Sequence, residues 1–299
     1  MRVHSLQCVG VEGVPDGEYA FLDASGRPAD VVVVSGPSAC GKTRLLELLF
    51  VVRELVAPTG DETDPEIWVR LGGRSARVLT TFWLEEHERS MLGYAEPTVT
   101  TETILAPDPE LAAEGEPDAG LSFLLDAYDH TEKTVKLEYF GENRRLDVGG
   151  GATALSVDAQ KKLRSSKSPR KFAFVPSFIT SLAGDTPRAE RFQAILSALS
   201  PSASYDAAAG RLASSGRPII GYDELSASER DAVIFASVAS LVTLAHSVVV
   251  VDRPDLYIRD EARLAEGLSR LGPSNQIFVA TPSADIFRAA PSRASVLLG

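Results

Sequence analysis

The octapeptide that decides the fold is Gly36-Pro37-Ser38-Ala39-Cys40-Gly41-Lys42-Thr43. It fits the pattern GxxxxGK[ST], follows an apolar run at 31–34 and opens a helical run at 43–56. A strand, a Gly-rich turn and a helix in this order form a phosphate-binding loop, in which backbone N–H groups surround phosphate oxygens. We expect the octapeptide and Arg44 to contact a nucleotide, with Lys42 at the β- and γ-phosphates and the Thr43 hydroxyl on Mg²⁺. The alternative, a chance match in a loop, is disfavoured by the flanking pattern.

Composition and charge bound the function classes. The chain has 299 residues, of which 44% are hydrophobic, and its net charge is −11. This fits one large α/β domain or two modest ones. So acidic a chain has no overall field that attracts nucleic acid or anionic membranes, although a local basic patch could still do so.

The same composition predicts a cytoplasmic protein without membrane insertion. The two cysteines are Cys8 and Cys40, and the second lies in the phosphate loop, which favours a reducing compartment. No apolar leader follows Met1. The apolar stretches at 45–56 and 232–251 are interrupted by polar residues and are therefore interpreted as buried elements.

The apolar pattern predicts a parallel α/β core with a β-rich middle. We expect strands at 1–9, 18–22 and 31–35. The middle part predicts an antiparallel β-region, with strands at 67–71, 76–84, 98–105, 121–128 and 134–140 and a solvated loop at 106–119. The α/β pattern then returns, with strands at 172–175, 247–251, 276–280 and 294–298 and helices at 188–199 and 229–245.

One basic cluster, which we call the basic segment, occupies residues 161–171. Its cations are Lys161, Lys162, Arg164, Lys167, Arg170 and Lys171. One interpretation is a mobile, solvated arm. The other is a contact surface for nucleic acid or an acidic partner.

Two further motifs follow the phosphate loop in the chain. Four valines at 248–251 end in Asp252, which is typical of a Walker B strand that delivers a carboxylate to Mg²⁺. An aspartate that caps an ordinary buried strand has the same pattern. Before it stands Leu225-Ser226-Ala227-Ser228-Glu229, which we call the signature segment. Ser226 with Glu229 also reads as a plain capping box, and the two interpretations are compatible.

With these three motifs in order, the chain resembles the ABC-type ATPases of the SMC, RecF-like and OLD-like group. The signature segment is similar to LSxGE, residues 252–258 to "DEPELHL", and residues 278–283 to "VATHS". The resemblance implies an α/β P-loop core of ABC-ATPase type with an antiparallel β-region. It also implies ATP and Mg²⁺ as ligands, Lys42 and Asp252 as catalytic residues, Thr43 and Asp252 at the metal, and Ser226 at a partner's nucleotide.

Two departures from this group concern hydrolysis. Arg253 stands where the group has a glutamate that polarises water, and Pro282 stands where it has a switch histidine. A guanidinium cannot act as a general base, and proline has no side-chain hydrogen-bonding group. Asp255 and Glu224 are candidate substitutes. The group's Q-loop would follow Trp83, where no glutamine is present.

We therefore predict a single domain over residues 1–299. Its core would be 1–56 and 172–299, and 57–171 would be a β-rich insertion with a mobile basic arm. The resemblance implies ATP-dependent head-to-tail pairing, either as a homodimer or with another ATPase or effector chain. Three functions stay open: a slow ATPase switch, a protein that binds ATP without hydrolysing it, and an ATPase subunit of a DNA repair or anti-phage defence complex that uses the basic segment.

Overall fold

The four valines before the phosphate loop lie in an internal strand of a parallel sheet in the computed structural model. The structure describes residues 1–58, 64–108, 118–146, 152–283, 286–288 and 290–299. The strands are β1 (Arg2–Val9), β2 (Gly17–Ala20), β3 (Val31–Ser35), β4 (Ala76–Trp83), β5 (Thr98–Leu105), β6 (Leu137–Phe140), β7 (Ala203–Asp206), β8 (Arg211–Ser214), β9 (Arg217–Pro218), β10 (Val248–Asp252), β11 (Gln276–Thr281) and β12 (Arg293–Leu297). The helices are α1 (Lys42–Val56), α2 (Glu86–Leu92), α3 (Ala119–Asp126), α4 (Val157–Leu163), α5 (Val175–Ser181), α6 (Thr186–Leu199), α7 (Ala227–Leu241) and α8 (Glu261–Ser269).

The parallel sheet has the strand order β12-β3-β11-β10-β6. Strands β3 and β10 each carry four valines in a row, which suits a sheet that is covered on both faces. Val32 and Val250 pack on one face with α1 and the antiparallel sheet. Val33 and Val251 pack on the other face with helices α5 to α8. The carboxyl ends of these strands meet along one side of the sheet, which we call the carboxyl edge.

A second sheet, which is antiparallel, packs in the same core as Val32, Val250 and α1. Its strand order is β2-β1-β4-β5. The predicted strands at 1–9, 18–22, 76–84 and 98–105 are therefore confirmed, with small changes at their ends. The predicted antiparallel region does not stand apart from the first residues of the chain, because β4 pairs directly with β1. Helix α1 lies between the two sheets, which explains why nearly all of its faces are apolar.

Three predicted strands are wrong. Residues 121–128 lie mostly in α3, where Leu121, Leu124 and Leu125 are buried at helical spacing and Asp118 caps the first turn. Residues 172–175 join a 3₁₀ turn to α5, with Pro176 in the first turn of that helix. Residues 67–71 hold only an isolated bridge between Val69 and Val11.

The predicted strand at 134–140 exists, but it belongs to a different sheet. Strand β6 pairs in parallel with β10 and forms one side of the core sheet. Lys136 and Glu138, the charged residues of this stretch, are both buried. The small antiparallel sheet β7-β8-β9 was not predicted at all.

The basic segment is not the solvated arm that the sequence suggested. Arg164 and Lys171 are buried. Lys171 pairs with Glu138 and donates to the carbonyl oxygens of Tyr139 and Arg164 at 2.6 and 2.7 Å. Lys161 pairs with Asp126 at 2.6 Å and Lys167 with Glu47 at 2.5 Å. Four of the six cations thus have partners within the fold, while Lys162, Lys167 and Arg170 are exposed.

Within the described ranges, no helix combines the length and apolar character that crossing a membrane requires. The predicted loop at 106–119 lies mostly outside the described residues, as do residues 149–151.

Candidate functional site

The backbone of the phosphate loop depends on close packing around two glycines. Gly41 has a φ of 96°, and a side chain there would overlap the carbonyl oxygen of Gly13. Gly36 has a φ of 147°, and a side chain there would overlap the carbonyl oxygen of Leu298. Only glycine fits both the backbone angles and the space. Segments from both ends of the chain therefore press on this loop and fix its shape.

Lys42 begins α1 and folds back over the phosphate loop. Its ammonium group donates to the carbonyl oxygens of Gly36 at 2.9 Å and Pro37 at 2.5 Å. The Sγ of Cys40 lies 3.6 Å away. No carboxylate of the described part of the chain is among these partners. The charge of Lys42 is thus held beside the loop amides by neutral groups that an anion would replace.

Thr43 and Asp252 meet at the carboxyl edge although 209 positions separate them in the chain. The Thr43 hydroxyl donates to Oδ2 of Asp252 at 2.8 Å. Strand β3 delivers the loop, β10 delivers the aspartate, and β11 lies between them in parallel register. The Walker A and Walker B interpretations therefore describe one place in the fold.

Asp252 has the properties of a carboxylate that binds a cation. Its residue is 1% exposed, and its Oδ1 is buried without a hydrogen-bond partner. Burial raises the pKa of this carboxyl above its ordinary value, and the hydrogen bond from Thr43 opposes the shift. A divalent cation at Oδ1 would satisfy the orphaned oxygen and offset the cost of burial.

The available ligands fit Mg²⁺ better than a metal held by protein groups alone. Among the residues that the structure describes, no group of three His, Cys, Asp or Glu side chains could hold a metal ion. Mg²⁺ usually takes one or two protein ligands together with waters and substrate phosphates. Asp252 and Thr43 would hold it here, and it would neutralise phosphate charge. Glu85 and Glu88 form the capping box of α2.

Arg253 and Pro282 also lie at the carboxyl edge, immediately after Asp252 and β11. Arg253 has a φ of 49°, and its N–H donates to the carbonyl oxygen of Ala280 at 3.0 Å. Its guanidinium turns toward Asp255, with Nη2 3.2 Å from Oδ2. Pro282 is exposed. Neither side chain can take a proton from water.

The two candidate substitutes for the missing base are already engaged. Asp255 holds the guanidinium of Arg253. Glu224 accepts hydrogen bonds from the backbone N–H groups of Ile220 at 2.7 Å and Gly221 at 2.8 Å. The strand beside β10 is β6, and the segment that follows β6 begins at Gly141. That segment carries Glu142 and no glutamine up to Leu146.

The signature segment caps α7 and is anchored to the unpredicted small sheet. Ser226 and Glu229 form a reciprocal capping box. Oε1 of Glu229 also accepts from the hydroxyls of Ser202 and Ser214, each at 2.7 Å. Burial alone would raise the pKa of Glu229, but these hydrogen bonds and those from Ser226 lower it to about 2. The capping interpretation is thus confirmed, and Ser226 has its hydroxyl partners within its own turn.

Arg44 is committed to a neighbouring aromatic ring. Its guanidinium carbon lies 3.6 Å from the centre of the Trp68 ring. Nη2 donates to the carbonyl oxygen of Ile67, and Nε donates to that of Glu12 at 3.4 Å. Arg44 therefore lies beside the loop as predicted, but its described contacts are within the protein.

Sequence reasoning missed Arg144 and Asp231, which form a buried ion pair near the carboxyl edge. Nε of Arg144 lies 2.5 Å from Oδ1 of Asp231, and both side chains are almost fully buried. Arg144 also donates to the backbone of Asp252 and Arg253. No motif marks either residue, because their pairing joins the loop after β6 to a helix far along the chain.

Comparison with known proteins identifies the class of this fold. No protein-family model and no curated protein matches the chain. An SMC head bound to the C-winged helix domain of ScpA aligns over 99% of this chain and 94% of its own, with a TM-score of 0.61 and 14% identity. The SMC head domain from Thermotoga maritima aligns over the same shares, with a TM-score of 0.51 and 16% identity. The recombination mediator RecF with ATP aligns over 94% and 92%, with a TM-score of 0.49 and 10% identity.

The chain thus has the α/β P-loop fold of ABC-type ATPases, with the antiparallel sheet that the sequence predicted. Within that class, it shares the fold of the SMC head domain over nearly its whole length.

Proposed function

We propose that this protein binds ATP with Mg²⁺ in the cytoplasm and works as a nucleotide-dependent dimerising switch with weak or no intrinsic hydrolysis. The observation that carries the proposal is the meeting of Thr43 with Asp252, whose second oxygen is buried without a partner. A loop built for phosphate oxygens lies directly beside it. Binding is therefore the function that the site supports best.

Weak hydrolysis is proposed from the side chains at the carboxyl edge. Arg253 is tied to Asp255, Glu224 is tied to backbone N–H groups, and Pro282 offers no proton acceptor. General-base assistance typically contributes about 10²–10⁴-fold to a rate, so its loss leaves a bound nucleotide largely intact. The nucleotide would then switch the protein by being bound, without being hydrolysed.

Pairing is proposed from the signature segment and the shared fold. In ABC-type ATPases this segment closes over the nucleotide of a second subunit, and here Ser226 would do so. The partner would be a second copy, a related ATPase or an effector chain; the SMC head with the same fold is bound to a domain of ScpA.

A second candidate is an active ATPase subunit of a DNA repair or anti-phage defence complex. The basic segment would be its nucleic-acid contact. Lys161, Lys167 and Lys171 are paired with acidic side chains, and Lys162, Lys167 and Arg170 are the exposed cations of the segment. The first candidate is therefore better supported.

Binding and turnover measured side by side test the proposal. We expect Mg²⁺-dependent ATP binding by calorimetry, with phosphate release near background. Lys42→Ala should raise Kd about 100-fold, because one charge-assisted contact to phosphate contributes about 1.5–3 kcal/mol. Lys136→Ala is the matched control. Lys136 also donates to carbonyl oxygens, but it lies just before β6, at the end of that strand away from the carboxyl edge. Equal ATP affinity in wild type and Lys42→Ala would refute the phosphate site.

A further inference from the structure

Arg144 joins three separate parts of the molecule through one buried guanidinium. It lies four residues after β6, and its side chain is fully buried. Nη1 donates to the carbonyl oxygens of Gly141 and Asp252, each at 2.7 Å. Nη2 donates to the carbonyl oxygen of Arg253 at 3.2 Å. On one side, Arg144 is therefore bonded to the backbone that carries the carboxylate of Asp252.

On its other side, Arg144 contacts α7, the helix that follows the signature segment. Nε and Nη2 of Arg144 contact the two oxygens of Asp231 at 2.5 and 3.3 Å. Asp231 lies in the second turn of α7 and is 1% exposed. The guanidinium carbon also lies 5.3 Å from the ring centre of Phe235, one turn further along the same helix. Arg144 thus holds the start of α7 against the carboxyl edge.

The start of α7 has only one other polar anchor of this kind among the described residues. Glu229 holds it to the small sheet through Ser202 and Ser214. That anchor contacts neither the phosphate loop nor β10. Among the described residues, the polar connection from the carboxyl edge to the start of α7 therefore passes through Arg144 and Asp231.

A guanidinium is planar, and its five N–H groups have fixed directions. A shift of the Asp252 or Arg253 carbonyl therefore changes how well the same plane can meet Asp231. Lysine would keep the charge but lose this geometric linkage.

We propose that Arg144 and Asp231 are positioning residues that couple nucleotide occupancy at Asp252 to the placement of the signature segment. The inference rests on the proposed function, because it requires that ATP with Mg²⁺ binds at Thr43 and Asp252. Neither side chain contacts the nucleotide in this role. The bridge makes the surface that receives a partner dependent on the state of the nucleotide site.

Asp231→Asn is the decisive variant. It keeps the shape of the side chain. Arg144 stays hydrogen-bonded to the carbonyl oxygens of Gly141, Asp252 and Arg253. Arg144→Lys is the second variant, and Lys136→Ala is the control for loss of a buried cation just before β6. Each protein is measured for ATP affinity with Mg²⁺, for hydrogen exchange in residues 225–235 with and without ATP, and for ATP-dependent association.

We expect ATP with Mg²⁺ to slow exchange at 225–235 in wild type and in Lys136→Ala. In Asp231→Asn this response should be lost and ATP-dependent association should weaken about tenfold, a typical coupling strength, while ATP affinity changes by about threefold or less. A purely structural role would instead lower stability and leave the response of 225–235 to ATP intact.

The outcomes separate the inference from the function on which it rests. If wild type binds no ATP, both are overturned. If wild type binds ATP and associates, but folded Asp231→Asn shows the same exchange response and the same association, the bridge is only structural and the inference fails while the proposed function stands. Loss of ATP affinity in Asp231→Asn equal to that in Lys42→Ala would also overturn it.

Discussion

At the scale of single residues, Glu229 shows how a polar side chain can hold a functional loop. Its carboxylate accepts hydrogen bonds from Ser214 in β8, from Ser202 just before β7 and from the backbone N–H of Ser226 at 2.8 Å. These partners favour the ionised form, so the pKa falls to about 2 from 4.5. The signature segment therefore has a fixed shape before any partner arrives.

Glu229→Gln should lower the free energy of unfolding at pH 7 by about 2 kcal/mol, because the depressed pKa represents stability of the charged form. Since the folded pKa lies below the ordinary value, this contribution exists above pH 4.5 and disappears as pH falls toward 2. Urea unfolding of both proteins between pH 2 and pH 7 measures it. Glu266→Gln, an exposed partner of Arg270, is the control and should change little. An equal loss at both pH limits would contradict the prediction.

The missing base at Arg253 leads to a second residue-scale prediction. Arg253→Glu should raise ATP turnover only modestly, because Asp255 lies beside the new carboxylate and Pro282 still provides no switch contact. Arg253→Glu with Pro282→His should raise it more than either change alone, since both groups act on one phosphate. Phosphate release under saturating ATP is the measurement.

Arg263→Glu provides the matched control for this series, because Arg263 also pairs with a nearby aspartate, Asp260, but on the exposed start of α8. It should leave turnover unchanged. Brisk hydrolysis by the unmodified protein, abolished by Lys42→Ala, would mean that another residue supplies the base.

At the scale of elements, one ion pair explains why the basic segment differs from the solvated arm that the sequence suggested. The segment looked solvated because it is rich in lysine. In the structure Lys171 reaches β6 and pairs with Glu138, and both are buried. Lys171 and Glu138, each considered alone, would be predicted to lie in solvent. Only their pairing permits both to be buried.

Lys171→Met should destabilise the protein by about 3–5 kcal/mol, because it leaves Glu138 buried without its cation. Lys171→Met with Glu138→Leu should recover much of that loss, since no buried charge remains. Lys162→Met, on an exposed lysine of the same segment, is the control. Thermal or urea unfolding distinguishes the three, and equal stabilities would show that the buried pair does not hold the segment in place.

At the scale of the whole molecule, the signature segment and the phosphate loop act in different subunits in the proposed pairing. Ser226→Arg should leave ATP binding by the monomer nearly unchanged and block ATP-dependent association, because a long cation would occupy the contact surface. Light scattering with and without ATP and Mg²⁺ measures this.

Ser226→Ala separates the bulk of arginine from the loss of the helix cap, which costs about 1 kcal/mol. It should still associate. A wild-type protein that stays monomeric with ATP at high concentration would rule out self-pairing and leave a different chain as the partner.

The sequence predicted the site better than the elements around it, for a physical reason. The phosphate loop is encoded by neighbouring residues, and parallel strands bring their carboxyl ends together, so Thr43 and Asp252 could be placed at one site. Arg144 could not be found in this way, because its partners come from β6, β10 and α7. The small sheet was missed because its strands are only two to four residues long.

The position of β3 between β11 and β12 has a consequence for the birth of the protein. During synthesis β3 emerges before β11 and β12, so both of its backbone edges stay unpaired until residues 276–297 have followed. An apolar strand left open in this way is prone to wrong pairing, and such long-range closure is slow. We therefore expect the nascent chain to be prone to aggregation until β11 and β12 have emerged. ATP, which needs the finished site, would stabilise only the completed molecule and give no help to the growing one.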